Sequence, residues 1–153
     1  MDTVLKGRMT ESLVLNAFVL RDYPVMVPFG EGQPYDLVVD VGDAFLRVQC
    51  KSARPAPGCL LFNARTTDHG RGPRSYLGRA DVFGVCHPAD SRVYLVPVPT
   101  VTSETVYLRL EAARNNQRVG IRLAADYEID RWSAQDLRAL AVGGGRSGAE
   151  VAA

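Results

Sequence analysis

Two extended runs joined by a two-residue turn constrain this chain more than anything else in it. Residues 35–41 and 44–52 are strand-like, and Gly42-Asp43 between them is a dipeptide that closes tight hairpins. With that turn Val41 faces Ala44, and counting back sets Asp36 opposite Gln49. Side chains alternate along a strand, so Asp36, Gln49 and Lys51 share one face. Leu37, Val39 and Val41 then oppose Leu46, Val48 and Cys50 on the other face, which is wholly apolar and belongs in a core. A one-residue slip would bury the charges instead, so the register is fixed. The polar face also carries Val38 and Phe45, and is therefore expected to be covered.

An acid, an amide and a lysine on one hairpin face suit a metal-and-phosphate site. Hard cations such as Mg²⁺ take oxygen ligands, commonly one or two carboxylates together with substrate phosphate and water. Asp36 offers a carboxylate, Gln49 a neutral carbonyl oxygen, and Lys51 a charge that can offset negative charge growing on phosphorus. Ordinary antiparallel alternation would place the same residues on a solvated face. Against that, a lysine under cover needs a reason. Only Lys6 and Lys51 are lysines among the chain's 18 basic residues, so lysine is the exception here. Its compact charge and adjustable pKa distinguish it from arginine.

A second acid lies upstream. Residues 3–22 read as an amphipathic helix whose apolar side is Met9, Leu13, Val14, Ala17, Phe18 and Leu20. Glu11 stands three residues before Val14 and seven before Phe18, at the border of that stripe. Alone it reads as a surface glutamate. With Asp36 it would complete a pair of carboxylates.

A helix with Glu11, a hairpin with Pro34-Tyr35-Asp36, then Gln49-Cys50-Lys51 resembles the PD-(D/E)xK nuclease superfamily. The sequence looks most like its bacterial group I intron homing endonucleases, which carry a Q-x-K form of the motif. The likeness runs to about Tyr127, through Tyr76, Asp81-Val82-Phe83, 93–97 and 117–127. The resemblance implies that Glu11, Asp36 and Gln49 hold metal, that Lys51 is the catalytic lysine, and that Mg²⁺ is the cofactor. It implies double-stranded DNA as substrate and a homo-oligomer, a dimer or tetramer. The chain departs from the general pattern where Tyr35 separates Pro34 from Asp36 and where Gln49 replaces an acid. The second departure lowers the negative charge of the site.

Charge distribution points the same way. The net charge is only +1, but positions 47–79 hold seven basic residues and one acid, Asp68. A phosphate backbone would be drawn there, with Arg54, Arg65, Arg71, Arg74 and Arg79 as DNA contacts. Residues 66–75 read as a Gly-rich polar loop. Pro55 and Pro57 stiffen the turn after Ser52, and 58–67, 81–87, 93–98 and 106–110 read as strands. Positions 93–98 and the C-terminal third are where apolar contacts between subunits are expected. Asn115 to Arg118 form a polar turn, Ser133 caps a helix over 134–140, and Trp132 is a packing anchor. Cys50, Cys59 and Cys86 are odd in number and lack C-x-x-C spacing, so they are read as reduced core residues. His69 and His87 are read as loop residues, so neither a zinc nor an HNH site is indicated. No apolar run is long enough to span a membrane and no secretory leader is visible, which suggests a cytoplasmic protein.

The expected fold is a mixed α/β (α+β), restriction-endonuclease-like core, with an N-terminal helix packed on a central mixed β-sheet. It would occupy residues 1–142, with a disordered tail over 143–153. The expected activity is site-specific, homing-type hydrolysis of DNA phosphodiesters. A structure-specific nuclease of the Holliday-junction type, or a degenerate fold that only binds DNA, uses the same residues.

Overall fold

The computed structural model describes residues 2–68, 72–111 and 120–141. His69, Arg71, the polar turn expected at 115–118 and the tail expected from 143 lie outside them. The elements run α1 (Thr3–Val19), β1 (Val25–Met26), β2 (Leu37–Asp40), β3 (Phe45–Ser52), β4 (Arg54–Ala56), β5 (Cys59–Asn63), β6 (Thr66–Asp68), β7 (Gly72–Arg74), β8 (Val82–Cys86), β9 (Val93–Pro97), β10 (Thr105–Arg109), α2 (Ala124–Tyr127) and α3 (Ala134–Leu140). A five-stranded sheet has the order β1-β2-β3-β8-β9, and a three-stranded sheet the order β10-β5-β4. The larger sheet is mixed: β3 and β8 run parallel while every other neighbour is antiparallel. This is the helix-on-mixed-sheet core that the sequence led us to expect.

The hairpin has the register read from its turn. Leu37 pairs with Val48 and Asp40 with Phe45, and Val41 N donates to Ala44 O at 3.0 Å. Gly42 and Asp43 both have positive φ, 79° and 61°. Such a turn twists in the sense of the strands it joins, so it closes the hairpin without splaying it. One face of the hairpin is buried at Leu37, Val39, Val41, Leu46, Val48 and Cys50.

Helix α1 lies on that buried face. Asp2 caps it by accepting from Val4 N. Val14, Ala17 and Phe18 pack into the core formed by the hairpin, Val82, Leu95 and Leu137. Each large side chain buried this way stabilises the fold by about 1.5–3 kcal/mol. The helix seats close because Gly84 lies beneath it: a Cβ there would stand 2.7 Å from a Val14 methyl and 3.0 Å from a Val48 methyl. The helix stops at Val19, not Asp22, because Asp22 turns left-handed with φ 63°. Leu20, expected on the apolar side, is therefore outside the helix and 72% exposed.

The second sheet was not expected. The stretch read as a turn after Ser52 contains β4, with Pro55 on an edge strand where its missing N–H is harmless. The strand expected over 58–67 ends at Asn63, and the stretch read as a polar loop contains the ladder of β6 with β7. Ala53, Leu60, Phe62, Phe83, Val96 and Leu108 form a second core between the sheets. Cover over the hairpin's polar face is partial. At the turn end Phe45 is 57% exposed and Val38 half-buried; at the other end the second core reaches Lys51's neighbours. The segment expected to offer apolar contacts to other subunits, 93–98, is wholly buried within the chain. Ser133 caps α3 in a capping box with Asp136, and Trp132 packs against the first core.

Candidate active site

Asp36 stands immediately before β2, in a groove shared with the N-terminal half of α1. Its Oδ2 accepts from Cys50 N at 2.8 Å, which pins the carboxylate across the strands. Oδ1 takes no hydrogen bond among the described residues. Burial raises the Asp36 pKa from its ordinary value, while the Cys50 N–H and Lys51 pull it back.

Glu11 reaches the same place from the helix. Thr10 beside it is buried, and its hydroxyl lies 2.6 Å from that of Ser52, which ties this turn of α1 to the end of β3. Glu11 as a residue is exposed, yet partial desolvation raises its pKa; Asp36 adds to the rise and Arg8 opposes it. Both carboxylates line an open groove of about 540 Å³, walled by α1 at Thr3, Gly7 and Arg8 and by the segment 27–36.

Gln49 and Lys51 come from β3. The ladder of β2 with β3 ends at Leu37 opposite Val48; Asp36 N also turns to Val48 O, at 2.9 Å, so the expected Asp36–Gln49 pair is not part of it, and Gln49 Nε2 donates to Cys50 O at 3.3 Å. Lys51 Nζ donates to the Arg65 carbonyl and to the Tyr76 hydroxyl, each at 3.2 Å, and lies 4.7 Å from the centre of the Tyr76 ring. Burial pushes the Lys51 pKa down to about 8, with Asp36 opposing. Burial and then Asp36 push Tyr76 up to about 12. Asp36 is thus felt by Glu11, Lys51 and Tyr76, while Gln49 lies on β3 two residues before Lys51.

Two carboxylates repelling one another suit a hard divalent ion, to which a neutral amide oxygen could add a ligand. Among the described residues no three His, Cys, Asp or Glu side chains cluster, so the oxygens on offer are these. Cys50, Cys59 and Cys86 are buried and free. Burial raises the Cys50 thiol well above its ordinary value, which keeps it a neutral core residue.

Of the arginines proposed for DNA, Arg54, Arg65 and Arg74 are exposed. Arg79 is half-buried, with Nη1 enclosed and unpartnered among the described residues. Arg47 is committed elsewhere: it clamps the buried Asp81 through Nε and Nη2 at 3.3 and 3.1 Å, joining β3 to the start of β8. Tyr76 was not singled out as a site residue. It lies 25 positions from Lys51, and no local pattern announces that contact.

Among curated proteins none matches the chain. The solved structure of a bacterial homing endonuclease, I-Ssp6803I, superposes with a TM-score of 0.64 at 22% identity, over 85% of this chain and 88% of that one. At that identity the likeness concerns the fold, and it is the helix-on-mixed-sheet core described above. Residues 1–130 match the PD-(D/E)XK endonuclease family, a span that takes in α1, the hairpin and the whole larger sheet. The helix that carries Glu11, the hairpin that carries Asp36, Gln49 and Lys51, and this match agree: the chain belongs to the PD-(D/E)XK endonuclease family.

Proposed function

We propose that this chain is a Mg²⁺-dependent endonuclease that cuts duplex DNA site-specifically, in the manner of a homing enzyme, with residues 1–142 as its catalytic domain. The observation that carries the proposal is the groove shared by Glu11 and Asp36, with Lys51 near enough to feel the Asp36 charge. Nucleases of this family generally use divalent metal ions. Glu11, Asp36 and the Gln49 carbonyl would hold one, which when bound polarises the phosphate and lowers the pKa of a water.

The chain's own groups supply the rest. Asp36, pinned by Cys50 N–H, offers Oδ1 to the site without reorganising. Lys51 places an ammonium under cover, where a charge acts through a lower dielectric than in water. There it orients the attacking water and offsets the charge that grows on the phosphoryl oxygens. Gln49 in place of an acid leaves the site with two carboxylate charges, which favours a single ion. Arg54, Arg65, Arg71, Arg74 and Arg79 would draw the phosphate backbone. One such domain has one site, so cutting both strands calls for a homo-oligomer, at least a dimer.

The test offers the purified chain a plasmid carrying the DNA that flanks its gene, a random duplex and a four-way junction, each with Mg²⁺ or EDTA. We expect Mg²⁺-dependent cleavage at one place in the flanking DNA. Preferred cutting of the junction would point to a resolvase-like nuclease. Tight binding of all three without any product would oppose the enzymatic reading.

A further inference from the structure

Lys51 is held from both stems of one hairpin. Its two hydrogen-bond acceptors among the described residues, the Arg65 carbonyl and the Tyr76 hydroxyl, stand immediately before β6 and two residues after β7. The ladder of β6 with β7, which pairs Thr66 with Arg74, brings those stems together. Neither acceptor belongs to the sheet that carries Lys51.

Both stems are anchored at their bases. Arg65 N donates to Asn63 Oδ1 at 2.9 Å, and Ala64 N to Glu104 O at 2.7 Å. Tyr76 is buried and meets Phe83 edge-on, with ring centres 5.5 Å apart, and Phe83 pairs with Gln49 across β8 and β3. Beyond the anchors the Arg65 and Arg74 side chains are exposed. Behind the stems a cavity of about 50 Å³, lined by Ala64, Arg65, Tyr76 and Phe83 among others, leaves room for a small shift.

We propose that the β6–β7 hairpin positions the Lys51 ammonium, so that a DNA phosphate held by Arg65 and Arg74 sets the lysine in its working place. The inference rests on the nuclease reading above. Arginine–phosphate contacts act on the hairpin, its ladder moves both stems together, and both stems end on Nζ. A displacement of about 1 Å in a positioned catalytic group can cost about 10²-fold in rate. DNA that binds elsewhere on the protein therefore leaves the lysine in its resting place. Tyr76 is a positioning residue in this scheme, acting through Lys51.

The test measures single-turnover cleavage across a range of enzyme concentrations, with binding measured separately in EDTA. Tyr76→Phe removes one oxygen and keeps the ring, its contact with Phe83 and its contact with Lys51. We expect its rate at saturation to fall about tenfold, with DNA affinity and Tm at wild-type values. Arg74→Ala should weaken binding and also lower the rate at saturation. The double variant should lose less than the product of the single losses, because both changes act through one lysine. A Tyr76→Phe rate equal to wild type, an Arg74→Ala effect on affinity alone, or multiplying losses would overturn the inference while leaving the nuclease reading intact. A wild-type protein that cuts no DNA would overturn both.

Discussion

Lys51, proposed as the catalytic lysine, works against the fold that holds it. Burial lowers its pKa in the folded protein to about 8 from 10.5, so between those values the unfolded chain binds more protons and stability rises with pH. Below pH 8 the buried charge is a cost. Lys51→Met should raise Tm at pH 7 by about 2–4 °C, and the gain should shrink towards pH 10. The same change should lower cleavage by about 10²–10³-fold. Calorimetry across pH and a cleavage assay check the two halves.

The carboxylates behave in the opposite sense. Glu11 and Asp36 are raised above 4.5 and 3.8 in the folded protein, so stability falls as pH climbs past those values and stays lower at neutral pH. A divalent ion binding only the folded state relieves this by mass action. We expect millimolar Mg²⁺ to raise the wild-type Tm. Glu11→Gln should melt slightly higher than wild type without metal and gain less on adding it. Equal gains in both proteins would remove Glu11 from the metal site.

At the scale of elements, the hairpin was legible because a turn of two residues fixes the register of everything beside it. Gly42-Asp43 sets Leu37 across from Val48 and Asp40 across from Phe45, as counted from the sequence, but the Asp36–Gln49 pair counted beyond them is absent from the ladder, because Asp36 N turns to Val48 O. Helix α1 was legible in its apolar spacing, except at Leu20, where the left-handed turn at Asp22 follows too closely. What stayed hidden depends on long-range pairing. Nothing local says that the short run at 105–109 joins β5, or that Pro55 sits on an edge strand beside it. The Lys51–Tyr76 contact was hidden for the same reason, since the β6–β7 ladder that delivers Tyr76 reads locally as a Gly-rich loop. Gly84 carries an element-scale prediction. Gly84→Ala would push α1 off the sheet at Val14, costing about 1–3 kcal/mol. Glu11 rides on that helix, so cleavage at saturating DNA should fall as well. Denaturant unfolding beside a cleavage assay measures both, and unchanged stability would show that the helix seats differently.

For the whole molecule, the groove holding both carboxylates is lined in part by Val27, 65% exposed, and the same segment carries Phe29, 104% exposed. The strand once expected to supply contacts between copies, 93–98, is buried in the core. Its side chains are therefore not an apolar face for another copy. Sedimentation of the free protein should show a dimer or tetramer, and a strict monomer should nick duplex DNA without linearising it. The most direct measurement compares wild type with Asp36→Ala on supercoiled plasmid carrying the flanking DNA, in Mg²⁺ and in EDTA, with binding followed in parallel. Wild type should nick or linearise the plasmid in Mg²⁺ alone, and Asp36→Ala should bind it without cutting. Cleavage that survives the loss of Asp36 or of the metal would contradict the assignment of this site.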